Sequence, residues 1–475
     1  MKSYLQNYID GRWVDSKGGR KHQVINPATE GVASEIVLGT PEDVDDAVTA
    51  ARRAFESFSQ TSKADRVALL QRVMEEYGKR VPDIAEAIAT EMGCPISIAK
   101  TAQAGSGMGH LANALKALQA YDFKEKIGDN TVVREPIGVV ALITPWNWPM
   151  NQIVAKVGPA LAAGCTMILK PSEEAPSSAA IFAEVMDAAG VPPGVFNLVQ
   201  GDGAGVGTAL AKHPGIDMIS FTGSTRAGIM VAKNAADTVK RVAQELGGKS
   251  PNIILEGTPL DVALPGGVGG VLLNSGQSCV APTRMLVHTS QHDEAAQKVG
   301  AMFSAKQVGA PLTEGDHIGP VVNESQWNKI QGLIQKGIDE GATLVAGGTG
   351  RPEGHDTGFY VKPTVFANVT PDMTIAREEI FGPVLVIMPY KDDDDAVKIA
   401  NDTVYGLAAY VQSQDIEHAR KIAGQLRAGQ VSINYPEWDT FAPFGGYKQS
   451  GNGREYADWA IHDFLEVKGI IGYGA

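Results

Sequence analysis

The stretch Ile137-Gly-Val-Val-Ala-Leu-Ile143, followed by Thr144-Pro-Trp-Asn147, decides the fold predicted for this chain of 475 residues. It joins a continuous apolar run of strand length to a polar cluster. The same arrangement recurs at 166–170, 195–200 and 218–222, with helical stretches between the runs. Continuous apolar strands that alternate with helices indicate a parallel sheet covered on both faces. The predicted fold class is therefore α/β.

Polar or glycine-rich residues follow these strands. Asn147 ends the first cluster, Lys170 and Glu173 belong to the second, and Gly223 and Ser224 follow the fourth strand. In open α/β sheets, ligands bind beyond the carboxyl ends of the strands. The last of these turns opens a helix, where free N–H groups can take a pyrophosphate. Many such turns carry glycine for steric reasons alone, so this signal by itself stays ambiguous.

A single thiol, Cys279, stands between small and polar neighbours, after Gly276 and before a β-prone run. Glu245 lies upstream and is followed by glycines that indicate a loop. Taken singly, these residues also fit a packing cysteine and a surface carboxylate. As a pair they describe covalent catalysis, in which a thiolate attacks a carbonyl and a carboxylate later draws a proton from water. A Cys–His protease stays open as an alternative, although no histidine lies near either loop in sequence.

Composition excludes several classes of function. The net charge is −13, and no long run of Lys or Arg supplies the phosphate-neutralising surface that a nucleic acid needs. The three cysteines, Cys94, Cys165 and Cys279, form an odd and sparse set that is typical of a reducing compartment. We find no signal peptide, no apolar window long enough to span a membrane and no metal-ligand spacing. We therefore expect a cytoplasmic protein without a metal site.

Seven segments, taken in order, resemble the NAD(P)-dependent aldehyde dehydrogenase family across nearly the whole chain. These segments are Pro145-Trp-Asn-Trp-Pro149, Lys170-Pro-Ser-Glu173, Phe221-Thr-Gly-Ser224, Glu245-Leu-Gly-Gly-Lys249, Gly276-Gln-Ser-Cys279, Glu379-Ile-Phe-Gly-Pro383 and Pro443-Phe-Gly-Gly446. Seven motifs in the family's own order make the match specific.

The resemblance implies a role for each catalytic residue. Cys279 is the expected nucleophile, which attacks the aldehyde to give a thiohemiacetal. Its backbone N–H and the amide of Asn147 are expected to hold the oxyanion. After hydride transfer, Glu245 is the expected general base for hydrolysis of the thioester. Relatives that acylate coenzyme A generally lack this glutamate, so its presence favours release of a free carboxylic acid.

The resemblance also implies NAD as the cofactor. The expected cofactor-binding residues are Trp146, Lys170, Glu173, Gly223, Ser224, Gly247, Glu379 and Phe381. Lys170 and Glu173 are expected at the adenosine ribose. A carboxylate accepts hydrogen bonds from ribose hydroxyls but repels a 2′-phosphate. NAD is therefore favoured, with NADP possible.

The family's architecture predicts three units. A Rossmann-like NAD-binding domain covers 1–117 and 137–246, and an α/β catalytic domain covers 247–444. A small β-hairpin unit, from 118–136 and 445–475, bridges to another subunit. Because such a hairpin has little core and exposes strand edges, pairing between subunits is expected. The predicted assembly is a homodimer or homotetramer.

Substrate choice rests on aromatic residues. Trp148, Tyr435, Trp438 and Phe444 are expected to line the approach to Cys279. Aromatic walls without an obvious cation favour an uncharged apolar aldehyde, aromatic or aliphatic, although each ring also fits an ordinary core. Two rival classes remain open, an NAD-independent thiol esterase or hydrolase and a non-catalytic scaffold that keeps the fold.

Overall fold

Secondary structure covers most of residues 3–474, which are the residues that the computed structural model describes. The strands are β1 (Gln6–Ile9), β2 (Arg12–Asp15), β3 (Arg20–Ile25), β4 (Val32–Leu38), β5 (Lys124–Ile127), β6 (Asn130–Pro136), β7 (Val139–Ile143), β8 (Thr166–Lys170), β9 (Phe196–Leu198), β10 (Met218–Thr222), β11 (Arg241–Glu245), β12 (Pro251–Ile254), β13 (Arg284–His288), β14 (Thr343–Ala346), β15 (Thr364–Ala367), β16 (Val384–Tyr390), β17 (Ala408–Gln412), β18 (Gln430–Ile433), β19 (Gly451–Asn452) and β20 (Leu465–Ile470).

Helices connect these strands. The α-helices are α1 (Pro41–Phe58), α2 (Lys63–Glu91), α3 (Ile96–Ile98), α4 (Ala104–Ala120), α5 (Pro149–Ala163), α6 (Ser177–Ala188), α7 (Thr208–Lys212), α8 (Thr225–Ala235), α9 (Leu260–Leu272), α10 (His292–Ala305), α11 (Glu324–Asp339), α12 (Thr374–Arg377), α13 (Asp393–Asn401), α14 (Ile416–Ala423) and α15 (Ala457–Asp463). Short π- and 3-10 helices lie at Ala99–Gln103, Gly203–Gly207, Ala236–Thr238, Leu273–Gly276 and Lys448–Ser450. Among the described residues, no helix is long and apolar enough to cross a membrane.

The first sheet has eight strands in the order β19-β11-β10-β7-β8-β9-β1-β2. Its five central strands, from β11 to β9, pair in parallel. Every residue of β7, β8 and β10 is buried, because helices cover both faces. Residues of α2, α4, α5 and α6 form one core, and residues of α1, α7 and α8 belong to the other. The predicted covered parallel sheet is confirmed.

The second sheet has seven strands in the order β14-β15-β16-β13-β12-β17-β18. All of its pairs are parallel except β14 with β15. β13 agrees with the β-prone run that follows Cys279 in the sequence. The loop that carries Cys279 therefore leads directly into a central strand of this sheet, whereas Glu245 ends a strand of the first sheet.

A third, antiparallel sheet has the order β20-β6-β5. The strand β5 lies at its edge, and all four of its residues are exposed. These strands belong to the predicted bridging unit. Within the same predicted unit, however, β19 pairs with β11, and Ala457 and Ile461 of α15 pack into the core of the first sheet. The division into three units at the predicted boundaries stays a prediction.

Arg284 ties the start of β13 to a neighbouring helix. Its side chain is 1% exposed, and its guanidinium donates hydrogen bonds to the carbonyls of Lys249 (2.9 Å), Ile399 (2.9 Å) and Ala400 (2.8 Å). Ile399 and Ala400 lie in the last turn of α13, where carbonyls lack helical partners and a cation is favourable. Arg284 thus fixes the strand after Cys279 against the segment after Glu245.

We predict that Arg284→Met lowers the free energy of unfolding by about 3 kcal/mol or more, because three buried carbonyls lose their donor. Urea unfolding of the purified protein measures the loss. Arg420→Met is the matched control, since Arg420 is exposed and pairs only with Glu417 within its own helix. The control should change the free energy by no more than about 0.5 kcal/mol. Equal losses in the two variants would contradict the anchoring role of Arg284.

Candidate active site

The carboxyl ends of four neighbouring strands meet at one edge of the first sheet. The Thr144 N–H, just after β7, donates to the carbonyl of Lys170 at the end of β8 (3.1 Å). The Gly223 N–H, just after β10, donates to the carbonyl of Glu245 at the end of β11 (3.0 Å). The predicted polar clusters are therefore side by side, as the parallel order of the strands requires.

The thiol loop reaches this edge through an unusual turn. Asn274, Ser275 and Gly276 all have left-handed backbones, with φ of 55°, 56° and 73°. A side chain at Gly276 would meet the Gly382 carbonyl at 2.0 Å, so only glycine fits there. The two non-glycine residues are held by their own side chains: Asn274 donates to the carbonyl of Asn147 (2.9 Å) and Ser275 to that of Gly319 (2.8 Å).

The two catalytic loops are in direct contact. A Cβ on Gly248, which follows Glu245 closely in the chain, would lie 2.3 Å from the carbonyl oxygen of Cys279. The segment after β11 can approach the thiol loop only because glycine stands there. The loops that carry Cys279 and Glu245 therefore meet between the two sheets.

Asn147 is fixed by a buried amide network. Its Nδ2 donates to the carbonyl of Gln277 (3.0 Å), two residues before Cys279. Gln103 donates from one amide to the carbonyl of Asn147 (3.0 Å) and to Oδ1 of Asn274 (3.2 Å). Gln103 was not predicted as a functional residue, since nothing in its helical surroundings marks it. The network orients the Asn147 amide, which has a second N–H, beside the thiol loop.

Cys279 differs from the other two cysteines in exposure. Cys94 and Cys165 are buried, whereas Cys279 is partly exposed. Burial, followed by the carboxylates of Glu379 and Glu245, raises the pKa of the Cys279 thiol above its usual range. The resting thiol is therefore protonated at neutral pH, and a base must take its proton before it can attack.

Glu245 is placed to act as a base on water. It is 5% exposed, and neither carboxylate oxygen has a hydrogen-bond partner among residues 3–474. Burial and the charge of Glu455 raise the pKa of Glu245 well above its usual value, against the opposing charges of Lys156 and Arg454. A carboxylate with a raised pKa can both accept and return a proton near neutral pH.

Lys156 and Glu455 form a buried ion pair behind Glu245 that was not predicted from the sequence. The Lys156 side chain is 1% exposed and that of Glu455 is 12% exposed. Lys156 interrupts the apolar sequence of helix α5. A lysine inside an otherwise apolar helix is itself a signal of a buried partner. Glu455 gives no such signal, because it lies in the segment expected to bridge subunits.

The predicted ribose and pyrophosphate residues lie on the first sheet. Lys170 Nζ approaches Glu173 Oε2 at 3.3 Å and donates to the carbonyl of Pro171 (2.8 Å). Ser224 caps α8, where its Oγ accepts from the Ala227 N–H (3.3 Å). The first N–H groups of α8, next to Gly223, lack partners within the helix and are free to bind an anion.

Glu379 and Phe381, two further residues expected to bind the cofactor, lie just before β16 of the second sheet and meet the first. The partly buried carboxylate of Glu379 accepts from the Gly248 N–H (2.9 Å), beside Gly247. The Phe381 ring packs edge-on against Trp146, with ring centroids 5.5 Å apart. Burial raises the pKa of Glu379. The structure thus brings together motifs that are more than a hundred residues apart in sequence.

Lys329, on α11, was missed by the sequence analysis. Its positive charge opposes the rise in the pKa of Glu379. No motif surrounds this lysine in sequence, so only the packing of α11 reveals it.

The four predicted substrate-lining rings occupy different places. Trp148 donates from Nε1 to Ser278 Oγ (2.7 Å). Phe444 packs in a cluster that includes Cys279 and Val280. Trp438 is 53% exposed, farther from the thiol. Tyr435 stacks on Tyr410 (5.0 Å), whose hydroxyl donates to the carbonyl of Val280 (2.9 Å), so it reaches the thiol loop only through Tyr410.

Among the side chains of residues 3–474, no group of three or more His, Cys, Asp or Glu is able to hold a metal ion. A thiol, an amide donor and an unpartnered carboxylate remain. Such a set can add a sulfur nucleophile to a carbonyl, hold the resulting oxyanion and activate a water molecule.

Known proteins are similar to this chain in sequence and in structure. The sequence model of the aldehyde dehydrogenase family matches residues 13–470. A 3-succinoylsemialdehyde-pyridine dehydrogenase from a Pseudomonas species is 54% identical over 474 residues, which cover 100% of this chain and 99% of the relative.

Solved structures agree with the sequence comparison. The crystal structure of an aldehyde dehydrogenase from Bartonella henselae has a TM-score of 0.97 at 50% identity and covers 99% of both chains. A mutant of aldehyde dehydrogenase C from Pseudomonas syringae, in complex with NAD+ and octanal, has a TM-score of 0.98 at 51% identity. That match covers 99% of this chain and 97% of the other.

We predict that iodoacetamide modifies Cys279 before Cys94 or Cys165, because only Cys279 is partly exposed. The rate should rise about tenfold per pH unit from pH 7 to pH 9, since the thiolate is the reactive species and burial keeps the thiol protonated. Peptide mapping by mass spectrometry identifies the labelled residue. Cys279→Ser is the control and should remove the fast phase. Labelling of Cys94 or Cys165 at the same rate would contradict the assignment.

Proposed function

The chain belongs to the aldehyde dehydrogenase family, and we propose that its oxidation of an aldehyde to a carboxylic acid with NAD proceeds through a covalent intermediate on Cys279. One observation carries this proposal: the partly exposed thiol, the buried unpartnered Glu245 and the amide-fixed Asn147 lie on loops that touch. A non-catalytic scaffold would have no need of these three together.

The residues around the thiol fit a dinucleotide. A helix N-terminus follows Gly223, and the preceding Thr222 has a buried hydroxyl without a partner. Lys170 and Glu173 offer a donor and an acceptor for ribose hydroxyls, and Glu379 offers a partly buried carboxylate for the second ribose. A thiol esterase would need none of these groups. NAD supplies a nicotinamide ring that accepts a hydride.

The first chemical step belongs to Cys279 and Asn147. The Cys279 thiol gives its proton to water, and the sulfur then forms a bond to the carbonyl carbon. The carbonyl π electrons move to oxygen, where the Cys279 N–H and the Asn147 amide stabilise the negative charge. Loss of hydride from the same carbon leaves an acyl group bound to the sulfur as a thioester.

Release of the product depends on Glu245. The carboxylate takes a proton from water, whose oxygen attacks the thioester carbon. The carbon–sulfur bond then breaks, and the acid leaves with the thiolate restored. Burial, with the added charge of Glu455, keeps the pKa of Glu245 above its usual value, which makes its carboxylate a stronger base toward water.

We propose NAD rather than NADP as the preferred form because of Glu173. Its carboxylate lies beside Lys170, at the position expected for the adenosine ribose. A 2′-phosphate there would face a like charge. Lys170 already interacts with Glu173 and the carbonyl of Pro171, so it is only partly available to offset that repulsion.

The proposed substrate is an uncharged aldehyde with an apolar aliphatic or aromatic chain. Trp148, Phe444 and Trp438 supply apolar and aromatic surface around the thiol loop. The relative from Pseudomonas syringae holds octanal, and the Pseudomonas relative is named for an aldehyde with a pyridine ring. Both fit a site that binds its substrate mainly through apolar contact.

We further propose a homodimer or homotetramer in the cytoplasm. The third sheet leaves the edge strand β5 exposed, and at its opposite edge Val467 of β20 and the following Ile471 are 68% and 81% exposed. A second copy of the chain would cover these exposed edges. Three free thiols suit a reducing compartment, and a net charge of −13 disfavours a nucleic-acid partner.

We predict that Glu245→Gln gives a rapid burst of NADH with octanal and then stalls, because acylation proceeds while hydrolysis lacks its base. Stopped-flow absorbance at the NADH band measures burst and turnover. Turnover should fall about a hundredfold or more, in the range typical for loss of a general base. Cys279→Ala, the control, should give no burst while still binding NAD. Equal loss of burst and turnover in Glu245→Gln would count against a role in hydrolysis.

We predict that Glu173→Ala raises the ratio of kcat/KM for NADP over NAD by about tenfold, since one like-charge repulsion of about 1.4 kcal/mol is removed. Glu174→Ala, which alters the adjacent carboxylate, is the control. An unchanged ratio in Glu173→Ala would place the 2′-position of the ribose elsewhere.

A further inference from the structure

An aromatic cluster leads from solvent to the thiol. We define it as His110, Trp438, Phe444 and Tyr456. Phe444 and Tyr456 stack at 4.9 Å and pack with Cys279. His110 lies 4.7 Å from Tyr456 and 5.9 Å from Trp438, which is exposed. Phe444 and Tyr456 therefore lie at the thiol, His110 is buried against Tyr456, and only Trp438 of the four is exposed.

His110 is a polar member of this cluster, and one of its nitrogens lacks a partner. The residue is 3% exposed, and its Nε2 has no hydrogen bond within the described part of the chain. The Asn151 amide interacts with the imidazole and with the Tyr456 hydroxyl, yet Nε2 is still left unsatisfied. A buried polar atom without a partner costs stability, so its presence needs an explanation.

The surroundings of His110 set what it can bind. Burial, with the nearby charge of Lys156, lowers the pKa of His110 to about 3. The imidazole is therefore neutral at any working pH and offers one N–H donor rather than a full charge. A neutral donor enclosed by rings suits a neutral acceptor on an otherwise apolar molecule and gives little stabilisation to a carboxylate.

The position of helix α4 keeps His110 in place. Asn113, one turn along, hydrogen-bonds with Thr440, and Lys116 lies over the Phe441 ring (4.2 Å). The face of α4 that carries these three residues is thus attached to the loop that carries Trp438. An acceptor that enters between the rings meets a fixed imidazole, which is the condition for a specific hydrogen bond.

We propose that His110 determines substrate specificity by donating a hydrogen bond from Nε2 to a neutral acceptor, a keto oxygen or a ring nitrogen, on the chain of the aldehyde. This inference rests on the proposed function, since the aldehyde carbon is taken to be at Cys279. It narrows the substrate from apolar aldehydes in general to apolar aldehydes that carry one such acceptor away from the reacting carbon.

Matched aldehydes test the inference directly. The kcat/KM for NADH formation is measured for octanal against 4-oxooctanal, and for 4-phenylbutanal against 4-(pyridin-3-yl)butanal. A site built around a hydrogen bond discriminates strongly against an analogue that lacks the bonding group. We expect the protein to prefer the acceptor-bearing member of at least one pair by about tenfold. The pair that responds identifies the acceptor as a keto oxygen or a ring nitrogen.

Three variants separate the hydrogen bond from packing. In His110→Phe, which keeps a ring but no donor, the ratio of kcat/KM between the two aldehydes of a pair should fall to within about twofold of one. In His110→Gln, which keeps an N–H donor, a preference of several-fold should survive. His355→Phe is the matched control, because His355 also stacks on a tyrosine, Tyr360 at 4.2 Å, in another part of the fold. Its preference should equal that of the unchanged protein.

The outcomes separate the two proposals. Oxidation of octanal and 4-phenylbutanal with no preference within either pair would overturn the role of His110 and leave the proposed function intact. A preference that persists in His110→Phe would also overturn it. Absence of NADH with all four aldehydes, while NAD still binds, would contradict the proposed function and remove the basis of this inference with it. Because the unchanged protein is itself compared across each pair, a misfolded variant would not block the test.

Discussion

The active site depends on one strained turn, Asn274–Gly276. Three consecutive left-handed residues redirect the chain from helix α9 toward the edge of the first sheet. Because two of them are not glycine, the turn persists only while side-chain hydrogen bonds to Asn147 and Gly319 hold it. The bond to Asn147 also connects the thiol loop to the oxyanion donor. The interactions that hold the strained turn therefore also fix the catalytic geometry.

The electrostatics of the site follow from burial. Burial raises the pKa values of Cys279, Glu245 and Glu379, and the two carboxylates add to the rise at the thiol. The result is a protonated resting thiol at Cys279 and a carboxylate at Glu245 that is a stronger base than usual. The ion pair of Lys156 with Glu455 places charge next to Glu245 without giving it a hydrogen bond. A carboxylate without a fixed partner remains free to accept a proton from water.

Much of this could be predicted from the sequence, for identifiable reasons. Strands such as β8 are continuous apolar runs, which have few alternative interpretations, and the residues at their ends follow from parallel order. Cys279 stood out because its neighbours are small and polar. Gln103, Lys156 and Glu455 could not be assigned roles, because these depend on contacts between distant segments. For Tyr435, the sequence position alone suggested a residue that lines the substrate site. In the structure, Tyr410 packs between Tyr435 and the thiol loop.

The central claim is that the acyl group is carried by Cys279 and released through Glu245. Its most direct test is intact-protein mass spectrometry of Glu245→Gln, quenched in acid after mixing with NAD and octanal, followed by peptide mapping. The account predicts an added octanoyl group on the peptide that contains Cys279. No added mass, or an octanoyl group on a different residue, would contradict it.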